Sequence, residues 1–188
     1  MKTLIFDGSP RDNGNSAFCR NLLTNSISGD IKTIRAYKEN ISPCTDCRYC
    51  KENKVCRIND NMKYILEQIE SANNIIIISP LYFSTLTGEL LSLFSRTQIF
   101  YNTQKHLHGK KGTLILLGGG ASKNTEPAKL TGRVILKQLG CESVEYIVYT
   151  DTDNVPAWEC GKLIEKLKTL GFLPPISPLP FEKGGRKL

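Results

Sequence analysis

Asn74-Ile75-Ile76-Ile77-Ile78-Ser79-Pro80 is the stretch on which the fold turns. Four β-branched isoleucines in a row have stiff χ1 angles that suit a pleated surface and crowd a helix. No polar residue alternates with them, so both faces of their strand must be covered, as on an inner strand of a parallel sheet. Outward from this run, strand-like segments fall at 2–6, 31–37, 112–117 and 143–150. Helical segments alternate with them. Phe18, Leu22, Leu23 and Ile27 recur at helical spacing after Ser16, Met62, Ile65, Leu66 and Ile69 do so again, and further helices are expected near 88–101, 126–139 and 156–170.

Parallel strands need crossover connections, nearly always right-handed. Five such strands alternating with helices therefore predict an α/β protein, a three-layer sandwich around a five-stranded parallel sheet of order 2-1-3-4-5. In that order ligands bind at the topological switch point, beyond the carboxyl ends of the strands. Three loops, after the first, third and fourth strands, carry the search for chemistry.

The first is Gly8-Ser9-Pro10-Arg11-Asp12-Asn13-Gly14-Asn15-Ser16. It supplies hydroxyls, a guanidinium, glycines and the exposed N–H groups of a helix start, all of which favour a phosphate. Lacking the Lys of a P-loop and the G-x-G-x-x-G spacing of a dinucleotide site, it suits a monophosphate. Asn15 or Ser16 is also expected to cap the following helix. The second loop, Ser79-Pro80-Leu81-Tyr82-Phe83-Ser84-Thr85-Leu86-Thr87-Gly88, offers backbone polar groups together with the flat faces of Tyr82 and Phe83. In the third, Gly118-Gly119-Gly120 leaves no side chain in the way of a planar ligand.

Four of the seven cysteines fall in one short run: Cys44, Cys47, Cys50 and Cys56, spaced C-x2-C-x2-C-x5-C. Thiolates so spaced can converge on one iron–sulfur cluster, and the run is close to the bacterial ferredoxin pattern, with a longer last gap and Arg57 where a Pro would follow. Free thiols and a zinc site remain the alternatives, although structural zinc usually pairs two separated C-x2-C knuckles. Arg48, Lys51, Lys54 and Arg57 lie among the cysteines and can offset the charge of a thiolate-bound cluster.

Gly-Ser-Pro-Arg-x-x-Gly-Asn-Ser after an N-terminal strand, the Pro-x-Tyr loop after the third strand and the compact cysteine run resemble motifs of the NADPH-dependent FMN reductase and iron–sulfur flavoprotein families. The resemblance spans 2–170 in element order. It implies a flavodoxin-like fold that binds FMN, with Ser9, Arg11, Gly14, Asn15 and Ser16 at the phosphate and Pro80, Leu81, Tyr82, Phe83, Gly118, Gly119 and Gly120 at the ring. It also implies a [4Fe-4S] cluster on Cys44, Cys47, Cys50 and Cys56. The activity implied is that of an FMN reductase-like oxidoreductase, using NAD(P)H to reduce flavin, quinone or a similar acceptor, with FMN itself rather than any side chain as the catalyst. The cysteine spacing favours an alternative, an iron–sulfur flavoprotein electron carrier that relays single electrons between the cluster and FMN. Implied partners are a small-molecule or protein electron donor or acceptor and further copies of the chain, in a homodimer or homotetramer. The chain departs from its relatives at Leu91-Ser92 and Ser95-Arg96, where they usually carry Leu-Lys and Asp-Arg.

Length and composition agree with this. A chain of 188 residues suits one domain, expected over 1–172, with a Pro-rich tail over 173–188. The net charge of +7 comes from 25 basic residues interspersed among 18 acids, which favours anionic small molecules and gives no footprint for nucleic acid. No apolar stretch approaches the roughly 20 residues that span a bilayer, nor does the N-terminus hold the apolar core of a secretory signal, so a cytoplasmic location away from membranes is expected. Cys19, Cys141 and Cys160 lie in helical or strand-like runs and suit small buried hydrophobes. His106 and His108 precede the turn Gly109-Lys110-Lys111-Gly112 and suit a solvated surface.

Overall fold

A computed structural model describes residues 1–121 and 124–170, so the expected tail and the last two residues of the expected domain lie outside the described residues. Five parallel strands, β1 (Lys2–Asp7), β2 (Asp30–Arg35), β3 (Asn74–Pro80), β4 (Lys110–Leu117) and β5 (Cys141–Tyr149), lie in the order β2-β1-β3-β4-β5. This is the flavodoxin-like arrangement expected. Helices α1 (Asn15–Ser26) and α8 (Gly161–Thr169) cover one face. Helices α4 (Met62–Ser71), α5 (Gly88–Ser95), α6 (Gln98–Asn102) and α7 (Glu126–Gln138) cover the other, and α2 (Ala36–Glu39) and α3 (Tyr49–Asn53) are single turns in the β2–α4 connection.

The isoleucine run explains why two faces exist. Successive side chains of a strand point to opposite sides. Ile75 and Ile77 join Leu4, Phe6, Leu114 and Leu116 in the core under α4–α7, while Ile76 and Ile78 join Ile5, Ile115, Leu117 and Ile147 under α1 and α8. All four isoleucines are at most 3% exposed. Burying each contributes roughly 1.5–3 kcal/mol, which fixes β3 at the centre. Phe6 meets Phe94 of α5 edge-on, ring centroids 4.9 Å apart.

Several boundaries differ from expectation for local reasons. The second strand stops at Arg35, because its partner β1 ends at Asp7, and Ala36–Glu39 coils into α2 with Asn40 at φ 53 closing it. The helix expected over 88–101 breaks between Ser95 and Gln98, where Arg96 and Thr97 donate to Leu93 and Phe94 in tighter three-residue turns and the Thr97 hydroxyl also bonds the Phe94 carbonyl at 2.7 Å. The last helix is interrupted at Cys160, which is extended and separates a 3₁₀ turn, Ala157–Glu159, from α8. Within the expected cysteine loop, Tyr49–Asn53 forms the unforeseen α3.

Candidate functional site

At the carboxyl end of β1 the chain places a wholly buried carboxylate, Asp7. One Asp7 oxygen accepts the N–H of Ser9 at 2.9 Å, and the other pairs with Arg20 of α1 and lies 3.8 Å from Arg35 at the end of β2. A buried charge is tolerated only with such partners. Arg35 extends the network by donating to the Arg11 carbonyl at 3.1 Å and pairing with Asp12 at 2.5 Å. Hydrogen bonds from Arg35, aided by the charge of Lys38, hold the exposed Asp12 carboxyl below its usual range. The 9–16 loop is thus braced from beneath by ionic contacts to two other elements.

No side chain caps α1, contrary to the expectation for Asn15 or Ser16. The Asn15 side-chain Oδ1 is occupied elsewhere, accepting the Ala157 N–H at 2.7 Å and tying the loop to the segment after β5. The helix therefore presents its first N–H groups uncapped by a side chain, at the positive end of its dipole. They adjoin a cavity of about 170 Å³ at the switch point, on whose rim Ser9, Arg11, Gly14, Asn15 and Ser16 stand together.

Pro80, Leu81 and Tyr82 after β3 and Gly119 after β4 line the same cavity. Leu81 donates its N–H to Leu117, and Tyr82 exchanges both backbone hydrogen bonds with Thr85 around Phe83 (φ 51) and Ser84 (φ 60). Two positive φ values in a two-residue turn are the geometry of type I′, which ordinarily selects Asn and Gly. The turn carries Phe83 out to full exposure, outside the cavity lining, unlike the flat contact expected of it. Gly118 and Gly120 also stand outside the lining. Their carbonyls, with that of Gly119, accept the N–H groups of Thr152, Asp151 and Asp153, while the Gly118 N–H donates to Tyr149. The Asp153 carboxylate sits over Gly119, 2.6 Å from where a Cβ would stand. Asn13, Leu117, Thr152 and Asp153 complete the lining and were not anticipated. Thr152 and Asp153 lie in a polar turn following β5, to which the strand-end rule extends.

Cys44, Cys47, Cys50 and Cys56 rim one pocket of about 20 Å³. Cys44 and Cys47 are exposed, Cys50 and Cys56 half-buried against the core under α4–α7. Among the described residues, no three His, Cys, Asp or Glu side chains are drawn close enough to hold a metal ion. Polar groups of the α5–α6 segment nevertheless aim at this rim. The Ser95 hydroxyl accepts the Cys44 N–H at 2.9 Å. Arg96 donates to the Cys56 sulfur and Asn102 to the Cys50 sulfur, each at 3.3 Å. Although burial opposes its charge, hydrogen bonds and charge from Asp60 and the Cys56 sulfur raise the pKa of Arg96. By contrast, burial pushes the thiols of Cys19 and Cys141 up to about 12, which keeps them protonated and agrees with their reading as small hydrophobes.

Fold and switch-point cavity together define a flavodoxin-like flavoprotein class. The sequence profile of NADPH-dependent FMN reductases matches residues 1–145, and the chain belongs to that family of FMN-dependent oxidoreductases. It is 26% identical over 132 residues to an iron–sulfur flavoprotein of Methanosarcina thermophila, covering 67% of this chain and 68% of that one. Over 127 residues it is 32% identical to an iron–sulfur flavoprotein of Methanocaldococcus jannaschii, covering 66% and 64%. The chain thus spans about two thirds of the length of these relatives. Among solved structures, Smu.1420 from Streptococcus mutans UA159 superposes with a TM-score of 0.75 at 21% identity, covering 91% of this chain and 98% of that one, which shows the shared fold.

Proposed function

We propose that the switch-point cavity binds FMN and that the chain is an NAD(P)H-dependent oxidoreductase acting on a flavin, quinone or similar acceptor. The observation that carries this is the gathering of Ser9, Arg11, Gly14, Asn15 and Ser16 with Pro80, Leu81, Tyr82 and Gly119 around one cavity. FMN, when bound, supplies the redox chemistry, taking a hydride from a nicotinamide and releasing electrons singly or in pairs. The protein's part is binding and orientation. Arg11 and the uncapped start of α1 hold the phosphate, the Asp7 network holds their loop, and Tyr82 flanks the ring. Calorimetric titration with FMN and with riboflavin tests the assignment: FMN binds much more tightly if the 9–16 loop takes the phosphate, and equal affinity rejects it. NADH and NADPH oxidation by the loaded protein then identifies the donor.

A second reading, the electron carrier with a [4Fe-4S] cluster on Cys44, Cys47, Cys50 and Cys56, is favoured by the shared rim of the four cysteines and by the N–H groups aimed at two of their sulfurs. Such a cluster carries one electron at a time. Its ligation would draw the rim inward, as metal binding and local folding are coupled. The neighbouring open groove, about 1290 Å³, is lined by Lys51, Lys54, Lys105 and Lys137, which suits the approach of an anionic donor or acceptor, small molecule or protein. Iron analysis and an absorbance spectrum of anaerobically purified protein decide: four irons with broad absorption beside the flavin bands support the carrier, and flavin bands alone support the reductase.

A homodimer or homotetramer belongs to the same proposal, supported by the fully exposed Phe83 next to the cavity. Light scattering of the wild type and of Phe83→Ser tests it. We place the protein in the cytoplasm, where its seven free cysteines stay reduced. No described helix is long and apolar enough to cross a membrane.

A further inference from the structure

The cysteine pocket is served by two hydrogen-bond donors that neither phosphate loop nor ring loop contains. The Arg96 side chain is 1% exposed and is held from three sides. Its guanidinium reaches both Asp60 oxygens at 2.7 and 3.1 Å and the Ser42 carbonyl at 2.9 Å, and one of its terminal nitrogens lies 3.3 Å from the Cys56 sulfur. Asp60 and Ser42 leave the guanidinium little freedom, so its direction towards Cys56 is built in. Six residues further along the same segment, the Asn102 amide donates to Cys50, also at 3.3 Å. One donor is charged and the other neutral, and both come from the break between α5 and the end of α6. Ion pairing with Asp60 explains why Arg96 is buried, but not why it also touches a sulfur. Helix geometry does not require Asn102 to face a cysteine.

Resting on the cluster reading, we propose that Arg96 and Asn102 are positioning residues that set the reduction potential of the cluster held by the four cysteines. Thiolate sulfurs carry much of the negative charge of a cluster, and reduction adds one electron to it. N–H groups pointing at those sulfurs stabilise the more negative, reduced form more than the oxidised one. Arg96 adds a full positive charge that water screens poorly at a buried site. Together they raise the potential, so that a weaker donor can fill the cluster.

The test is an anaerobic titration of the iron-loaded protein with dithionite, which delivers one electron to each oxidised cluster, followed by absorbance and electron paramagnetic resonance. Asn102→Leu removes the neutral donor at nearly constant volume. Losing a hydrogen bond to a charged group shifts the oxidised-to-reduced ratio at fixed potential by about tenfold, a fall of ~59 mV for a one-electron couple. Arg96→Lys keeps the charge and loses the forked geometry, and a smaller fall in the same direction is expected. The potential of FMN serves as the internal control, because the flavin cavity and the cysteine pocket share no lining residue, and it stays unchanged. If Arg96→Lys unfolds because Asp60 loses its partner, Asn102→Leu alone decides. An iron-loaded Asn102→Leu protein whose cluster potential equals that of the wild type overturns the proposal. Wild-type protein that takes up no iron overturns the cluster reading itself, so iron content separates the two failures.

Discussion

Arg11 and Asp7 divide the work of the 9–16 loop. Arg11 stands on the rim of the cavity, where it would meet the phosphate of the proposed FMN, so Arg11→Ala is expected to weaken FMN about 10–100-fold, the worth of a charge-assisted hydrogen bond, while leaving riboflavin unaffected in the same calorimetric titration. Asp7 has no access to solvent and acts from below. Asp7→Ala strands Arg20 and takes the acceptor from the Ser9 N–H, and a loss of about 3–5 kcal/mol is expected in urea unfolding of the FMN-free protein. Asp7 closes an apolar strand in the sequence, yet only the fold shows that two arginines from separate elements converge on it. Cysteine chemistry divides in the same way. With iron removed, iodoacetamide at pH 8 is expected to label Cys44 and Cys47 first, with Cys19 and Cys141 blocked until unfolding, since burial holds those two thiols near 12. Mass spectrometry of the alkylated peptides checks the order, and early labelling of Cys19 would contradict it.

The α5–α6 segment connects the two sites. It starts directly after the ring loop, where the Thr87 N–H bonds to Ser79, and it ends at Asn102 beside Cys50. Its seat depends on Gly8, at the end of β1. A Cβ there would lie 2.2 Å from a Leu90 methyl and 2.8 Å from the Thr87 hydroxyl. Gly8→Ala is therefore expected to cost about 1–3 kcal/mol by forcing α5 away from the sheet, and to weaken FMN at the same time. Thermal unfolding with and without FMN measures both effects, and an unchanged melting curve would refute the close approach. The expected single helix over 88–101 had the right span and the wrong continuity. Apolar spacing continues through the break, and the tighter turns at Arg96 and Thr97 follow from contacts to Asp60, Ser42 and Phe94 that no local pattern announces.

Across the whole molecule, the cysteine pocket lies at the edge of one of two cores, whereas the switch-point cavity takes Leu117 from the other core and Leu81 from beside the first. The two centres should accordingly be separable. If the cysteines hold the proposed cluster, chelation of iron is expected to abolish its broad absorption and leave the far-ultraviolet circular dichroism and any bound flavin in place. FMN at about a hundred times its dissociation constant is expected to stabilise the fold by roughly 2.7 kcal/mol, read as a rise in melting temperature. Collapse of the sheet on iron removal would show instead that the cysteine loop is part of the folding core.

Sheet order, both hydrophobic faces and the loops that surround the cavity were legible along the chain, because strand burial and crossover topology depend on local pattern and on rules common to all parallel sheets. The tertiary structure alone decided which members of those loops face inward. Phe83 swings out on a turn with two positive φ values, the Asn15 side chain is taken by Ala157, and Asp153 arrives from the turn after β5. It alone also brought Arg96 and Asn102 to the sulfurs, since a hydrogen bond between residues 40 or 52 positions apart is created by packing and leaves no periodic trace in the chain.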